Sequence, residues 1–151
     1  MKNVLNYEIC EDTLAIIPFL EGKSKVIETH GELIVNKTPM EIIEDSCLYF
    51  GSSYDGRHTA TKYLLGISYK SPILIEESRN IIFFPTNSPR QNDCCWIALR
   101  NIIDYKRNHK RSIICFDNGK QILVNISYGS LDNQILRATR LESIIRNKKI
   151  G

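Results

Sequence analysis

Short apolar runs separated by polar turns dominate the first third of the chain, and they predict β-strands. Apolar and alternating stretches of four to eight residues are typical of strands that pack on a core. Glu11-Asp12, Glu21-Gly22-Lys23 and His30-Gly31 interrupt the runs as turns. The pattern therefore predicts four strands, at residues 6–10, 13–19, 25–29 and 32–36.

Two helices are predicted in the middle of the chain. Residues 38–41, TPME, have the sequence of a capping box, in which the threonine hydroxyl and the glutamate carboxylate satisfy first-turn amides. The first helix should extend to about residue 48. The second should span residues 56–65 and end at Gly66. Its core side is expected to comprise Ala60, Tyr63 and Leu64.

The second half of the chain returns to strands and ends in a helix. Apolar runs predict strands at residues 73–75, 81–84, 95–105, 112–116 and 121–127. Asn118-Gly119 predicts a tight hairpin turn, because such turns need positive φ angles. A last helix, capped by Ser130, is predicted from residue 131 to about 146. Its core positions recur at helical spacing: Leu131, Ile135, Ala138, Leu141 and Ile145.

These elements predict an α+β fold, with antiparallel β-strands, two central helices and one C-terminal helix. The 151 residues suit a single domain, with 42% hydrophobic and 25% charged residues as in ordinary globular proteins. No apolar run approaches the length that spans a bilayer, and the N-terminus lacks the apolar core of a signal peptide. We therefore expect a cytoplasmic protein with no membrane partner.

Charge is unevenly distributed along the chain. Residues 1–50 carry 4 basic and 9 acidic side chains, and residues 51–151 carry 16 and 8, so their net charges are −5 and +8. A basic region of this kind favours a polyanionic partner such as nucleic acid. The alternative is a solvated basic surface that binds nothing.

The stretch from residue 46 to 66 is the first candidate site. Gly51 and Gly56 enclose Ser52 and Ser53, and donors follow at Arg57, His58 and Lys62. A glycine-flanked loop at a helix start points backbone N–H groups at an anion. The alternative is ordinary turn chemistry, since Gly-Ser-Ser and Asp-Gly are common turn sequences.

A second candidate site is the densest basic cluster, residues 106–111, KRNHKR. It lies between two predicted strands, so Lys106, Arg107, Lys110 and Arg111 should surround a hairpin tip. Such a tip could enter a nucleic-acid groove, or it could be a solvated loop. Arg137 and Arg140 on the last helix extend the basic set.

Enzyme chemistry has no support in the sequence. The chain has neither GxxxxGK[ST] nor GxGxxG, and no GxSxG surrounds a serine. Its five cysteines include no CxxC pair, and the three histidines do not cluster with them. We therefore predict reduced thiols, no metal, no cofactor and no catalytic residues.

Five segments occur in an order that resembles the ComK family of competence transcription factors. They are GSSYDGRH at 51–58, IIFFPT at 81–86, CCWI at 94–97, FDNGK at 116–120 and ISYGSLDNQILRATRL at 126–141. YEI at 7–9 and TLAIIP at 13–18 fit the N-terminal part. The resemblance covers about residues 7–146.

The resemblance implies an activator that binds double-stranded DNA at paired AT-rich boxes, largely through the minor groove, and switches on genes for DNA uptake. It also implies a homo-oligomer on the promoter and a protease adaptor as a further partner. A narrow AT-rich minor groove attracts arginine. Either Arg57 on its glycine-flanked loop, or Arg107 and Arg111 on the basic tip, is expected to enter the groove. The cations expected to neutralise phosphates are Lys62, Lys106, Lys110, Arg137 and Arg140.

The chain departs from the longer family members, which continue past the final helix, so we expect a short, C-terminally truncated member. The alternative function is a protein-interaction module, a short paralogue that modulates a full-length ComK-like regulator. Hetero-oligomers and little DNA affinity would distinguish that module from a DNA-binding activator.

Overall fold

The computed structural model describes residues 1–149 in full and the backbone of residue 150. Within that range the chain forms ten strands and three helices. They are β1 (Lys2–Val4), β2 (Thr13–Pro18), β3 (Ser24–Glu28), β4 (Gly31–Val35), α1 (Pro39–Tyr49), α2 (Tyr54–Leu65), β5 (Ile73–Glu76), β6 (Ile81–Pro85), β7 (Trp96–Ala98), β8 (Ile102–Asn108), β9 (Arg111–Phe116), β10 (Gln121–Val124) and α3 (Tyr128–Ile150).

The strands form two sheets. The large sheet has seven strands in the order β1-β4-β3-β2-β7-β6-β5, and the small sheet has three in the order β10-β9-β8. Strand pairs in both sheets are antiparallel except β1 with β4, which is parallel. This confirms the predicted α+β fold, with two central helices and one C-terminal helix.

Helix α1 covers one side of the large sheet. Both halves of its predicted capping box are present: the Thr38 hydroxyl accepts from the Glu41 amide, and the Glu41 carboxylate accepts from the Thr38 amide. Ile42, Ile43 and Cys47 are fully buried against strand residues that include Trp96. The amphipathic pattern of α1 is therefore satisfied by the sheet.

The other side of the large sheet packs on α3 and the small sheet. Leu131, Ile135, Ala138, Leu141 and Ile145 are all buried there, so the predicted core positions of α3 are confirmed. The helix begins three residues earlier than predicted, because Ser127 rather than Ser130 accepts a first-turn amide. Helix α3 therefore packs between strand β6 of the large sheet and the small sheet.

Helix α2 begins and ends at capping residues. Its N-cap is Ser53 and its C-cap is Gly66, whose φ of 72° lies in the left-handed region that glycine adopts freely. The predicted core side is only partly correct, because Leu64 packs against the core but Ala60 and Tyr63 are exposed, Tyr63 by 84%. The buried residues of the helix are Thr61 and Leu65. Burial of Thr61 is possible because its hydroxyl donates to the Pro72 carbonyl at 2.7 Å.

Two predicted strands were also wrong. Residues 6–10 lie outside any strand. Two hydrogen bonds hold this segment: the Tyr7 hydroxyl donates to Glu28 Oε2 at 2.6 Å, and the Ile9 amide donates to Ser46 Oγ at 3.0 Å. Residues 95–105 are two strands in two different sheets, β7 and β8, separated by a turn in which the Ile102 amide bonds to the Leu99 carbonyl. Both sides of this turn are apolar, so the sequence pattern did not show the break.

Within the part of the chain that the structure describes, no helix combines the length and apolar character needed to cross a bilayer.

Candidate nucleic-acid interface

The glycine-rich stretch before α2 is a helix start rather than a long loop. Gly51 has a φ of 86° and turns the chain between α1 and α2. Gly56 lies inside α2, which corrects its placement in the loop. A Cβ at Gly56 would come within 3.0 Å of Ser53 Oγ and 3.6 Å of Ser52 Oγ. Glycine at this position thus leaves room for the Ser53 cap, whose oxygen accepts from the Gly56 amide at 2.9 Å.

Arg57 is a half-buried residue of α2 and does not project from a loop tip. Its Nε is buried and has no hydrogen-bond partner within the described residues. The side chain lines a cavity of about 290 Å³ together with Leu141, Ile145, Lys148 and Lys149 at the end of α3. Arg57 therefore brings positive charge to the end of α3.

His58 and Lys62 occupy the neighbouring side of α2, as their spacing predicted. His58 Nε2 lies 3.1 Å from the Ser68 carbonyl, so the imidazole is held toward the segment that follows the helix. Lys62 is exposed. Of the two, only Lys62 extends freely into solvent.

The basic cluster forms a two-stranded hairpin, which we call the basic hairpin and define as residues 106–111. Asn108 pairs with Arg111, so His109 and Lys110 alone form the turn, and His109 has a φ of 59°. Lys106, Arg107, Lys110 and Arg111 are all exposed. Their side chains surround a narrow tip that contains no carboxylate.

An aromatic stack fixes the base of the basic hairpin to the start of α3. The Arg107 guanidinium lies 5.4 Å from the Tyr128 ring centroid, and Tyr128 stacks on Tyr105 at 5.5 Å. The Tyr105 hydroxyl donates to Asp132 Oδ1 at 2.6 Å, which raises the pKa of Tyr105 to about 12. Two stacked tyrosine rings, anchored by the Asp132 carboxylate, therefore hold the Arg107 guanidinium at the edge of the sheet.

Arg137 and Arg140 lie further along α3, on the side away from the hairpin. Arg137 Nη1 donates to the Tyr69 carbonyl at 3.0 Å and to Gln134 Oε1 at 3.3 Å. These hydrogen bonds connect α3 to the segment after α2, so Arg137 Nη1 has a structural role. Arg140 is exposed one turn later.

The nine predicted residues therefore form two groups, with α3 between them. One group comprises Lys106, Arg107, Lys110 and Arg111 of the basic hairpin. The group around α2 comprises Arg57, His58, Lys62, Arg137 and Arg140. Arg107 contacts Tyr128, whereas Arg57 shares its cavity with Lys148. Tyr128 and Lys148 are about 30 Å apart along the helix axis at 1.5 Å per residue, and Arg137 and Arg140 lie between them.

No catalytic or metal chemistry is evident in either group. The described residues contain no cluster of three or more His, Cys, Asp or Glu side chains suited to a metal ion. All five cysteines are free thiols. Burial raises the pKa of Cys47 to about 11 and that of Cys95 to about 12, so neither thiol is an activated nucleophile.

Sequence reasoning missed the stack that positions Arg107. Tyr105 and Asp132 are 27 residues apart and meet only because β8 lies beside α3. The available signal was Tyr105, a tyrosine two residues before Arg107 and so on the same side of its strand.

Comparison with known proteins identifies the family. The family model for "ComK protein" matches residues 4–150. The "Competence transcription factor" of Bacillus subtilis (strain 168) is 35% identical over 147 residues, which cover 95% of this chain and 77% of the relative. No solved structure matches the chain significantly. With nearly every residue matched by the family model, the chain belongs to the ComK family.

Proposed function

We propose that this chain is a transcriptional activator of competence genes that binds AT-rich double-stranded DNA, largely through the minor groove. The observation that carries the proposal is the basic hairpin, with four exposed cations around a two-residue turn. Membership of the ComK family and the name of the Bacillus subtilis relative support the regulatory role.

The hairpin tip supplies groove contacts. Lys110 and Arg111 lie at and beside the turn with exposed side chains, and we assign Arg111 to the groove and Lys110 to the adjacent phosphates. The negative potential of a narrow AT-rich minor groove favours insertion of Arg111, and Arg107 follows behind it. Because that groove distinguishes mainly A·T from G·C, we expect preference for AT-rich sites over any unique base sequence.

The remaining cations act on phosphates. Lys106, Lys62 and Arg140 are exposed, and we assign them to backbone contacts. Each neutralised phosphate should add about −0.9 to the slope of log affinity against log salt. Arg57, His58 and Arg137 complete the second contact region beside α2.

The test is a salt-titrated binding assay with three duplexes of equal length. One carries paired A- and T-tracts, one is G·C-rich, and one replaces A·T by inosine·cytosine. An inosine·cytosine pair lacks the guanine amino group, so it resembles A·T in the minor groove and G·C in the major groove. We expect similar affinity for the first and third duplexes and weaker affinity for the second at every salt concentration.

Variants localise the contact. The Lys110→Ala and Arg111→Ala proteins should each bind the AT duplex about tenfold more weakly, as expected for the loss of a charged contact. Lys25→Ala is the matched control, because Lys25 lies in the acidic third of the chain and pairs with Glu32 at 3.2 Å. Equal affinity of the hairpin variants and the control would contradict the assignment.

Family membership also leads us to propose a homo-oligomer on the DNA and delivery to a protease by an adaptor. If all three duplexes fail to bind, the interaction module becomes the better proposal. Its test is size exclusion with a longer ComK relative, where a mixed complex is the expected result.

A further inference from the structure

A cleft beside the first turns of α2, on the side that carries Tyr54 and His58, has the features of a ligand site. It has a volume of about 640 Å³, within the range of small-molecule pockets. Three segments converge on it: the first turns of α2, residues 68–71 after that helix, and residues 88–90 between β6 and β7. It is separate from the basic hairpin, which lies across α3.

The walls of the cleft combine flat apolar surfaces with positive charge. Tyr54, Tyr69 and Pro89 offer ring faces, and Tyr69 is 64% exposed. His58, Lys70 and Arg90 are the basic groups, and Asp55 is the one carboxylate among the lining residues. Planar rings stack on such faces, and cations beside them suit an attached anion.

A buried hydroxyl in the cleft lacks a partner. Ser71 is 2% exposed, lines the cleft, and its Oγ makes no hydrogen bond within the described residues. An unpaired buried polar group is unfavourable, so a ligand that supplies its hydrogen-bond partner is favoured. A planar ring with polar edges would meet this need.

We propose that this cleft binds a nucleotide unit, with the base against Tyr54 and Tyr69 and its edge on Ser71. The phosphate lies between Lys70 and Arg90, and Asp55 accepts from a sugar hydroxyl or a base N–H. The unit is either a free nucleotide or one nucleotide of single-stranded DNA. This inference is independent of duplex binding by the hairpin.

The single tryptophan of the chain provides a local readout. Tyr54 packs edge-on against the buried Trp96, with ring centroids 6.4 Å apart. A ligand stacked on Tyr54 should therefore change the emission of Trp96. Calorimetry supplies the affinity independently of fluorescence.

The probes are thymidine monophosphate, a single-stranded ten-residue oligothymidylate and inorganic phosphate. We expect saturable binding of one of the first two, with Trp96 quenching, and no comparable binding of phosphate. Tight binding of the mononucleotide identifies a free nucleotide as the ligand, and binding of the oligonucleotide alone identifies single-stranded DNA.

Three variants test the site. Arg90→Ala and Lys70→Ala should each lower the affinity about tenfold, as expected for loss of a charge-assisted hydrogen bond. Ser71→Ala removes the buried hydroxyl with little change in volume, and should lower affinity without unfolding the chain. The matched control is Arg146→Ala on α3, where Arg146 pairs with Glu142 at 3.7 Å outside the cleft.

Absence of binding by both nucleotide probes, or binding that Arg90→Ala and Ser71→Ala leave unchanged, would overturn the proposal. The duplex assay separates this outcome from failure of the proposed function. Arg90→Ala should bind the AT duplex like the unaltered protein, whereas Lys110→Ala should bind nucleotides normally.

Discussion

At the scale of single residues, backbone angles decide several positions that side-chain chemistry does not. Gly66 and Gly129 both have open space where a Cβ would go, with no heavy atom within 4 Å. They differ in conformation, because Gly66 has a φ of 72° and Gly129 lies in the first turn of α3. The pair therefore separates backbone strain from steric crowding.

Gly66→Ala should lower the free energy of unfolding by about 1 kcal/mol, because alanine resists the left-handed conformation. Gly129→Ala should raise it by up to about 1 kcal/mol, because alanine favours a helix. Urea denaturation of both variants measures the difference. Equal destabilisation of the two would mean that the φ angle of Gly66 is not the cause.

Residue roles were predictable where a local rule applies and not elsewhere. Gly66 and Thr38 follow capping rules that act within four residues. Thr61 is buried because of a carbonyl eleven residues away, and Arg57 because α3 packs beside α2. No local spacing encodes such partners. The core side of α2 was therefore only partly predicted, and Arg57 was expected to be more accessible to solvent than it is.

At the scale of elements, the N-terminal cap of α1 contributes to the stability of a helix that packs on one side of the large sheet. Thr38→Ala removes the hydroxyl that accepts from the Glu41 amide at 3.2 Å. We expect a loss of about 1 kcal/mol in unfolding free energy. Thr38→Ser keeps the hydroxyl and should be close to neutral in thermal unfolding. A serine variant as unstable as the alanine variant would assign the effect to the lost methyl group.

Element boundaries could be predicted where capping or turn residues mark them. The capping box and the Asn-Gly turn placed α1 and the β9–β10 hairpin correctly, and Gly119 has a φ of 90°. The bend between β7 and β8 has only Leu99-Arg100-Asn101, a sequence without glycine or proline. Its cause is tertiary, because each half of the predicted strand finds partners in a different sheet.

At the scale of the whole molecule, Arg107 and Arg57 lie beside α3 at Tyr128 and Lys148, two positions about 30 Å apart along the helix, which is close to one turn of B-DNA. We predict two protected stretches about one helical turn apart in a hydroxyl-radical footprint on an AT-rich site. Lys110→Ala should weaken one stretch and Arg57→Ala the other. A single protected stretch, or equal loss of both with either variant, would contradict this arrangement.

The separation of the two groups could not be predicted from the sequence. Charge counts place cations in the last two-thirds of the chain, but they do not show that α3 divides them. That division depends on β8 and α2 packing on opposite sides of α3, through Tyr105 with Asp132 and Arg137 with the Tyr69 carbonyl. The expectation of a DNA partner came from the family resemblance, whereas the arrangement of the cations around α3 is seen only in the packed structure.

The small sheet also has a mechanical consequence. At its end far from the basic hairpin, Asn118 Nδ2 donates to the Thr29 carbonyl and Lys120 Nζ to the Glu28 carbonyl, both at 2.8 Å. Strand β9 joins the two ends over about 20 Å. The small sheet therefore links the basic hairpin to the turn between β3 and β4 through a continuous set of backbone and side-chain hydrogen bonds. A load applied at the hairpin would be shared with the acidic N-terminal third.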